Sequence, residues 1–222
     1  DYQVLRTLQT LIERGLVVAS RAESAWPAAR SAWIDSAALR RLEDWLQQGR
    51  PAGQAASSAK LLLASAELET TRDFLRLLAS LPGFSLSPLV ETGALGAEDR
   101  ARVAELRLGD GPCVEVLHVP ISAAFAPAWP ALAYQALGVL FVHSHPVADA
   151  EERLRPLVSC LSQLPGARLF RVLLLRKGER VSAEEVQTRL ALLDRSSLFL
   201  LPLEGGKDRL PLLATMLGRV LP

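Results

Sequence analysis

The residues in this chain best suited to chemistry are His143 and His145, in the phrase His143-Ser144-His145-Pro146 that follows an apolar run. Two histidines at i and i+2 of an extended segment point to the same side, so both rings can reach one metal ion. A hydrolytic zinc site also needs a third protein ligand and a carboxylate to handle the proton of the attacking water. Asp149 and Glu151 are near in sequence, but their spacing does not complete such a set. The turn Arg176-Lys177-Gly178-Glu179 places a cation and a carboxylate after another apolar run. Nucleophilic catalysis has less support. Ser122, Ser144 and Ser159 lack the glycine-flanked turn of a nucleophile elbow, and Cys113 falls inside an expected strand. The acid pairs Glu151-Glu152 and Glu184-Glu185 fall where helices begin, and there carboxylates favour the helix dipole. Phe125, Trp129 and Tyr134 stand in a Pro/Ala-rich segment, AAFAPAWPALAY, and aromatic side chains of this kind anchor partner surfaces.

Short apolar runs alternating with longer amphipathic stretches must position these groups, and that alternation marks an α/β sheet. Strands are expected at 60–64, 103–108, 114–117, 137–142, 169–175 and 197–203. Helices are expected at 67–80, 131–135, 149–164, 183–193 and 207–220. Gly109-Asp110-Gly111 joins the second and third strands as a hairpin. The expectation is a mostly parallel six-stranded sheet with one early hairpin, flanked by helices. Upstream, Val4, Leu5, Leu8, Leu11, Ile12 and Leu16 form one helical face, and Gly15 precedes a short extended piece. Asp35 and Ser36 are placed to cap a second helix carrying Leu39, Leu42, Trp45 and Leu46. Small and breaker residues at 49–59 predict a linker between a helical segment, 1–48, and an α/β domain, 60–222.

The chain has 222 residues, half of them apolar, which is enough for a substantial core. Its 25 basic and 24 acidic residues leave a formal charge of +1, so no long-range field recruits nucleic acid or an anionic membrane. Neither partner is expected. The longest apolar run, 131–142, is broken by Gln135 and is too short to cross a bilayer. Two distant cysteines, Cys113 and Cys160, suit ordinary thiols in a reducing cytoplasm. The first residue, Asp1, lies inside a helical pattern, which reads as a fragment of a longer protein.

The element order from Lys60 onward resembles the Ras-like small GTPases, and especially the bacterial small-GTPase-like domains that follow a DUF4388 (PatA N-terminal) region. The phrases KLLLASAELETTRDFLRLLASLPGF and ALGVLFV carry that likeness, and 1–48 resembles the end of a winged-helix module. Acids interspersed among the arginines of 1–48 speak against a DNA-reading face. The resemblance implies a phosphate loop, G-x-x-x-x-G-K-[ST], after the first strand. Here Ala64 replaces its first glycine, Glu69 the second and Thr70 the lysine, and only Thr71 agrees. Glycines let successive backbone N–H groups face phosphate beside the lysine's charge, and Glu69 would instead bring a carboxylate to a polyanion. The implied D-x-x-G reads His118-Val-Pro-Ile121, and the guanine-reading N-K-x-D reads Arg176-Lys177-Gly178-Glu179. Lys177 fits, and Glu179 imitates the aspartate with a longer arm. The implied function is a pseudo-GTPase without cofactor that binds protein partners in bacterial signalling, a second copy of itself being one candidate. Two other functions are a weak guanine-nucleotide switch through Thr71, Lys177 and Glu179, and a zinc hydrolase. The second of these rests on the resemblance of the HSHP phrase to JAMM-type zinc isopeptidases. Their downstream S-x-x-D corresponds here to residues 152–158, which hold neither the serine nor the aspartate.

Overall fold

The computed structural model describes residues 33–48, 58–109, 111–190, 192, 195–204 and 209–222. The helical face expected between Val4 and Leu16, and with it the winged-helix resemblance of that stretch, lies outside the described residues. The chain runs α1 (Ser36–Gln47), β1 (Ser58–Ser65), α2 (Leu68–Leu78), β2 (Phe84–Leu86), α3 (Pro88–Glu91), β3 (Ala101–Arg107) and β4 (Cys113–His118). A 3-10 turn at Ala123–Ala128 leads into α4 (Trp129–Ala133), β5 (Ala136–Ser144), α5 (Ala148–Ser162), β6 (Leu169–Leu175), α6 (Ala183–Arg189), β7 (Leu198–Pro202) and α7 (Arg209–Val220).

The strands form one sheet in the order β2-β3-β4-β1-β5-β6-β7. β2 and β3 pair antiparallel, as do β3 and β4, while β1, β4, β5, β6 and β7 pair in parallel. The α/β class and the early hairpin agree with the sequence pattern. The strand number does not: the sheet has seven strands and is mixed. The unforeseen strand is β2, a three-residue edge whose Phe84 opposes Leu106 of β3. Three residues are too few to show alternation, so this strand exists through its pairing with β3 and not through its own pattern.

Helices cover both faces, which is why β1, β5 and β6 read as nearly continuous apolar runs. Within β5, Leu140 and Val142 point to the face that holds Phe74 of α2 and Leu213 and Met216 of α7. Val139 and Phe141 point to the opposite face, against Trp129 and Leu132 of α4 and Leu154, Leu157 and Leu161 of α5. A smaller cluster, built on Leu173, Val186 and Leu198, fills the space under α6. Asp35 caps α1 as expected, accepting from the Ala37 N–H at 3.1 Å. That helix buries Ala38, Leu42 and Leu46 in the same cluster as Leu61, Phe74 and Leu217. α1 therefore belongs to the core of the sheet, and β1 begins at Ser58, inside the segment expected to be linker.

Candidate functional site

The carboxyl ends of parallel strands are where ligands bind in open α/β sheets. At this edge β1 ends on Ser65, and only Ala66 and Glu67 precede the first residue of α2. The Ser65 hydroxyl donates to the Glu67 carbonyl at 2.7 Å and lies 2.6 Å from the buried Thr71 hydroxyl. Those bonds close the strand-to-helix turn on itself. Ala64 is buried within β1. Glu69 lies on the outer face of α2, bound to Arg76 at 3.2 Å and Arg72 at 3.4 Å, and these partners, Arg76 foremost, hold its carboxyl below the usual range.

The neighbouring strand ends complete the edge. Thr70 donates to the Ser144 hydroxyl at 3.4 Å, at the end of β5. His145 follows, with Nδ1 4.0 Å from a Glu179 carboxylate oxygen. The other Glu179 oxygen accepts from the Arg176 N–H at 2.8 Å, so this acid closes its own turn. Lys177 is exposed at the tip of that turn. His118 ends β4 buried, with Nδ1 2.7 Å from the Asp99 carbonyl, and burial pushes its pKa down. The structure thus joins Ser65 to Thr71, Thr70 to Ser144, and His145 to Glu179 along one edge. His118 instead has its own partner in the loop before β3.

Behind this edge lies a group that the sequence pattern did not bring together. The His143 side chain is fully buried, with Nε2 3.7 Å from Glu151 Oε2. The other Glu151 oxygen accepts from Arg171 Nη2 at 3.2 Å, and the Arg171 guanidinium lies 4.4 Å from the centroid of the Phe141 ring. Three elements supply the three side chains: β5, the first turn of α5, and β6. Both ring nitrogens of His143, Glu151 Oε2, and Arg171 Nε and Nη1 are buried without a hydrogen-bond partner among the described residues. Burial, helped by the nearby Arg171 charge, pulls the His143 pKa down to about 3, so the imidazole is neutral. Burial pushes Glu151 up against the opposing pull of Arg171 and Arg155, and lowers Arg171 against the pull of Glu151.

The two histidines of the HSHP phrase therefore face different carboxylates, Glu151 for His143 and Glu179 for His145. Among the described residues no group of three or more His, Cys, Asp or Glu side chains is arranged to hold a metal ion. The sequence explains Glu151 as a helix-start acid that favours the helix dipole, and its contact with Arg171 depends on how α5 sits over the sheet. Arg171 does carry a sequence signal, as the single charge inside the apolar run Leu169–Leu175. Of the three aromatic candidates, Trp129 is not a surface residue. It is 3% exposed and donates its indole N–H to the Pro120 carbonyl at 3.0 Å. Phe125 is half-buried against the same cluster, whereas Tyr134 is 70% exposed. The Cys113 thiol is pushed up to about 12 by burial and by Glu105 and Glu115, which leaves it a poor nucleophile at neutral pH.

The buried imidazoles give this region a pH signature. A histidine whose folded pKa is depressed lets the unfolded chain take up its proton first as pH falls. Its contribution is complete above the ordinary histidine value of about 6.5 and is lost as pH drops toward the folded value. His143 and His118 both act in this sense. Glu151, with its raised pKa, acts oppositely, losing stability as pH rises from the ordinary carboxyl range through its folded value. Urea unfolding at descending pH from 7 is expected to show falling stability, with His143 contributing at most about 1.4 kcal/mol per pH unit. His143→Gln is expected to flatten that slope. An unchanged slope would place the His143 ring in solvent.

No protein-family model matches the chain, and no curated protein matches it. No helix among the described residues is long and apolar enough to cross a membrane.

Proposed function

We propose that this chain is a non-catalytic relative of the Ras-like GTPases, acting by protein contact in bacterial signalling or regulation and not by nucleotide turnover. Its hairpin followed by parallel βα units supports the fold side of that reading. The observation that carries the functional side is the two-residue turn between β1 and α2, closed by the Ser65–Thr71 bond. A phosphate cradle needs several consecutive backbone N–H groups turned toward one anion. Ala66 and Glu67 leave no length for one, and Glu69 and Thr70 supply neither glycine nor lysine. Glu179, the acceptor that a guanine-reading loop would require, is engaged by the Arg176 N–H. Tyr134 is the one large aromatic of the 122–135 segment left exposed, and it marks the first place to seek a partner contact.

Thermal unfolding with GDP, GTP and ATP in the presence of magnesium tests the loss of nucleotide handling. The expected result is no stabilisation at millimolar nucleotide. A ligand at 100 times its dissociation constant would add about 2.7 kcal/mol. A guanine-specific shift of that size would overturn the proposal.

A further inference from the structure

A cleft of about 680 Å³ opens at the other end of the sheet, where the parallel strands begin. Its walls include Trp45 of α1, Lys60 of β1, Glu115 of β4, and Tyr134 and Gln135 between α4 and β5. Concave sites in the range of roughly 300–1,000 Å³, apolar with a few convergent polar groups, are the usual dimensions of small-molecule pockets. Three separate features set this cleft apart.

The first is charge. Lys60 and Glu115 are register partners on neighbouring strands and face the same side of the sheet. Glu115 is engaged by Arg102 at 3.4 Å. The Lys60 ammonium has no ion-pair or hydrogen-bond partner among the described residues. It is half-buried, and burial together with the nearby Arg100 charge lowers its pKa. A partly desolvated cation without a counterion favours an anion that brings one. The second is aromatic surface. Tyr134, 70% exposed, presents a ring at the rim, and Trp45 presents another from α1. Aromatic rings of this kind bind flat apolar groups by offset stacking. The third is backbone strain. Gln135 has φ of +55°, alone in the left-handed region among the described non-glycine residues. That conformation holds the wall between Tyr134 and β5, and such strain collects at ligand sites.

We propose that this cleft binds a small organic monocarboxylate with a flat apolar body, its carboxylate on Lys60 and its ring against Tyr134 and Trp45. Lys60 is the one cation among the described residues lining the cleft, and Glu115 on the same wall opposes a dianion such as a phosphate ester more strongly than a monoanion. The site lies away from Ser65, Ser144 and Glu179, so it stands or falls separately from the loss of nucleotide handling.

Titration calorimetry with benzoate, 2-naphthoate and indole-3-carboxylate tests it, with 2-naphthalenemethanol as the uncharged control and phenyl phosphate as the dianion. At least one carboxylate is expected to bind saturably, with a dissociation constant on the order of 1 mM or below. A hydrogen bond to a charged group amounts to about tenfold or more in affinity, so the alcohol should bind weaker by that factor. Lys60→Gln should weaken the carboxylate by a similar factor, and Tyr134→Ala should weaken all aromatic probes. Failure of all three carboxylates to bind would overturn the proposal. Phenyl phosphate binding as well as the carboxylates, or unchanged affinity in Lys60→Gln, would overturn it too. The alcohol comparison uses the native chain, so the result does not depend on any variant folding.

Discussion

Glu151→Ala is expected to destabilise the fold by about 3–5 kcal/mol, because breaking a buried ion pair leaves one charge uncompensated. The charge left behind is Arg171, whose side chain is 6% exposed and whose Nη2 loses its acceptor at 3.2 Å. Its Nε and Nη1 have no described partner to begin with, so the guanidinium would keep only the face of Phe141. Arg171→Ala should cost less. Glu151 is the more exposed partner and can turn its carboxylate toward water, although the packing over Phe141 is lost as well. Replacing both at once, with Glu151→Leu and Arg171→Met, should recover most of the loss, since apolar residues of similar volume often equal or exceed a buried pair. Urea denaturation of the single and double variants measures the coupling directly. A Glu151→Ala variant within about 0.5 kcal/mol of the native protein would rank the pair with ordinary surface positions.

The same cluster shows where sequence reading reaches its limit. β5 and β6 are legible because 137–142 is wholly apolar and Leu169–Leu175 is apolar but for Arg171, and short runs of this kind bounded by turn residues have few alternatives. The first turn of α2 is legible too, since Glu69 and Thr70 stand where a phosphate loop needs glycine and lysine, which leaves Thr71 as a residue of the helix. Arg171 could have been singled out as the lone charge in its run, but its partner could not. Glu151 reaches it across a sequence separation of 20 residues, and the meeting depends on the parallel register of β5 and β6, with Phe141 opposite Arg171. A helix-start carboxylate has a sufficient local explanation in the helix dipole, so nothing in its own neighbourhood asks for a second one. The two histidines mislead for the opposite reason. Their i and i+2 spacing predicts convergence only while the segment stays extended, and β5 ends at Ser144, before His145. The cleft around Lys60 is beyond sequence reading altogether, because its walls come from α1, β1, β4 and the segments before β5 and β6.

Trp129 and Tyr134 carry the second large prediction, as a contrast between two aromatics five positions apart. Trp129→Ala is expected to cost about 3–5 kcal/mol, the usual loss for emptying a buried aromatic site. The indole is 3% exposed, packs in the cluster of Phe141 and Leu157, and ties α4 to the Pro120 carbonyl at 3.0 Å. Its removal opens a cavity under α4 and leaves a buried carbonyl without its donor. Tyr134→Ala should change stability by no more than about 0.5 kcal/mol, as expected of an exposed ring. Both residues lie in one Pro/Ala-rich stretch, and the phase of the short helix Trp129–Ala133 decides which of them turns inward. Any partner binding lost in Trp129→Ala would therefore follow from lost stability, whereas binding lost in Tyr134→Ala at unchanged stability would locate the contact. Urea midpoints of the two variants distinguish these cases. A Trp129→Ala protein as stable as the native one would mean that the indole lies on the surface and that α4 is docked differently.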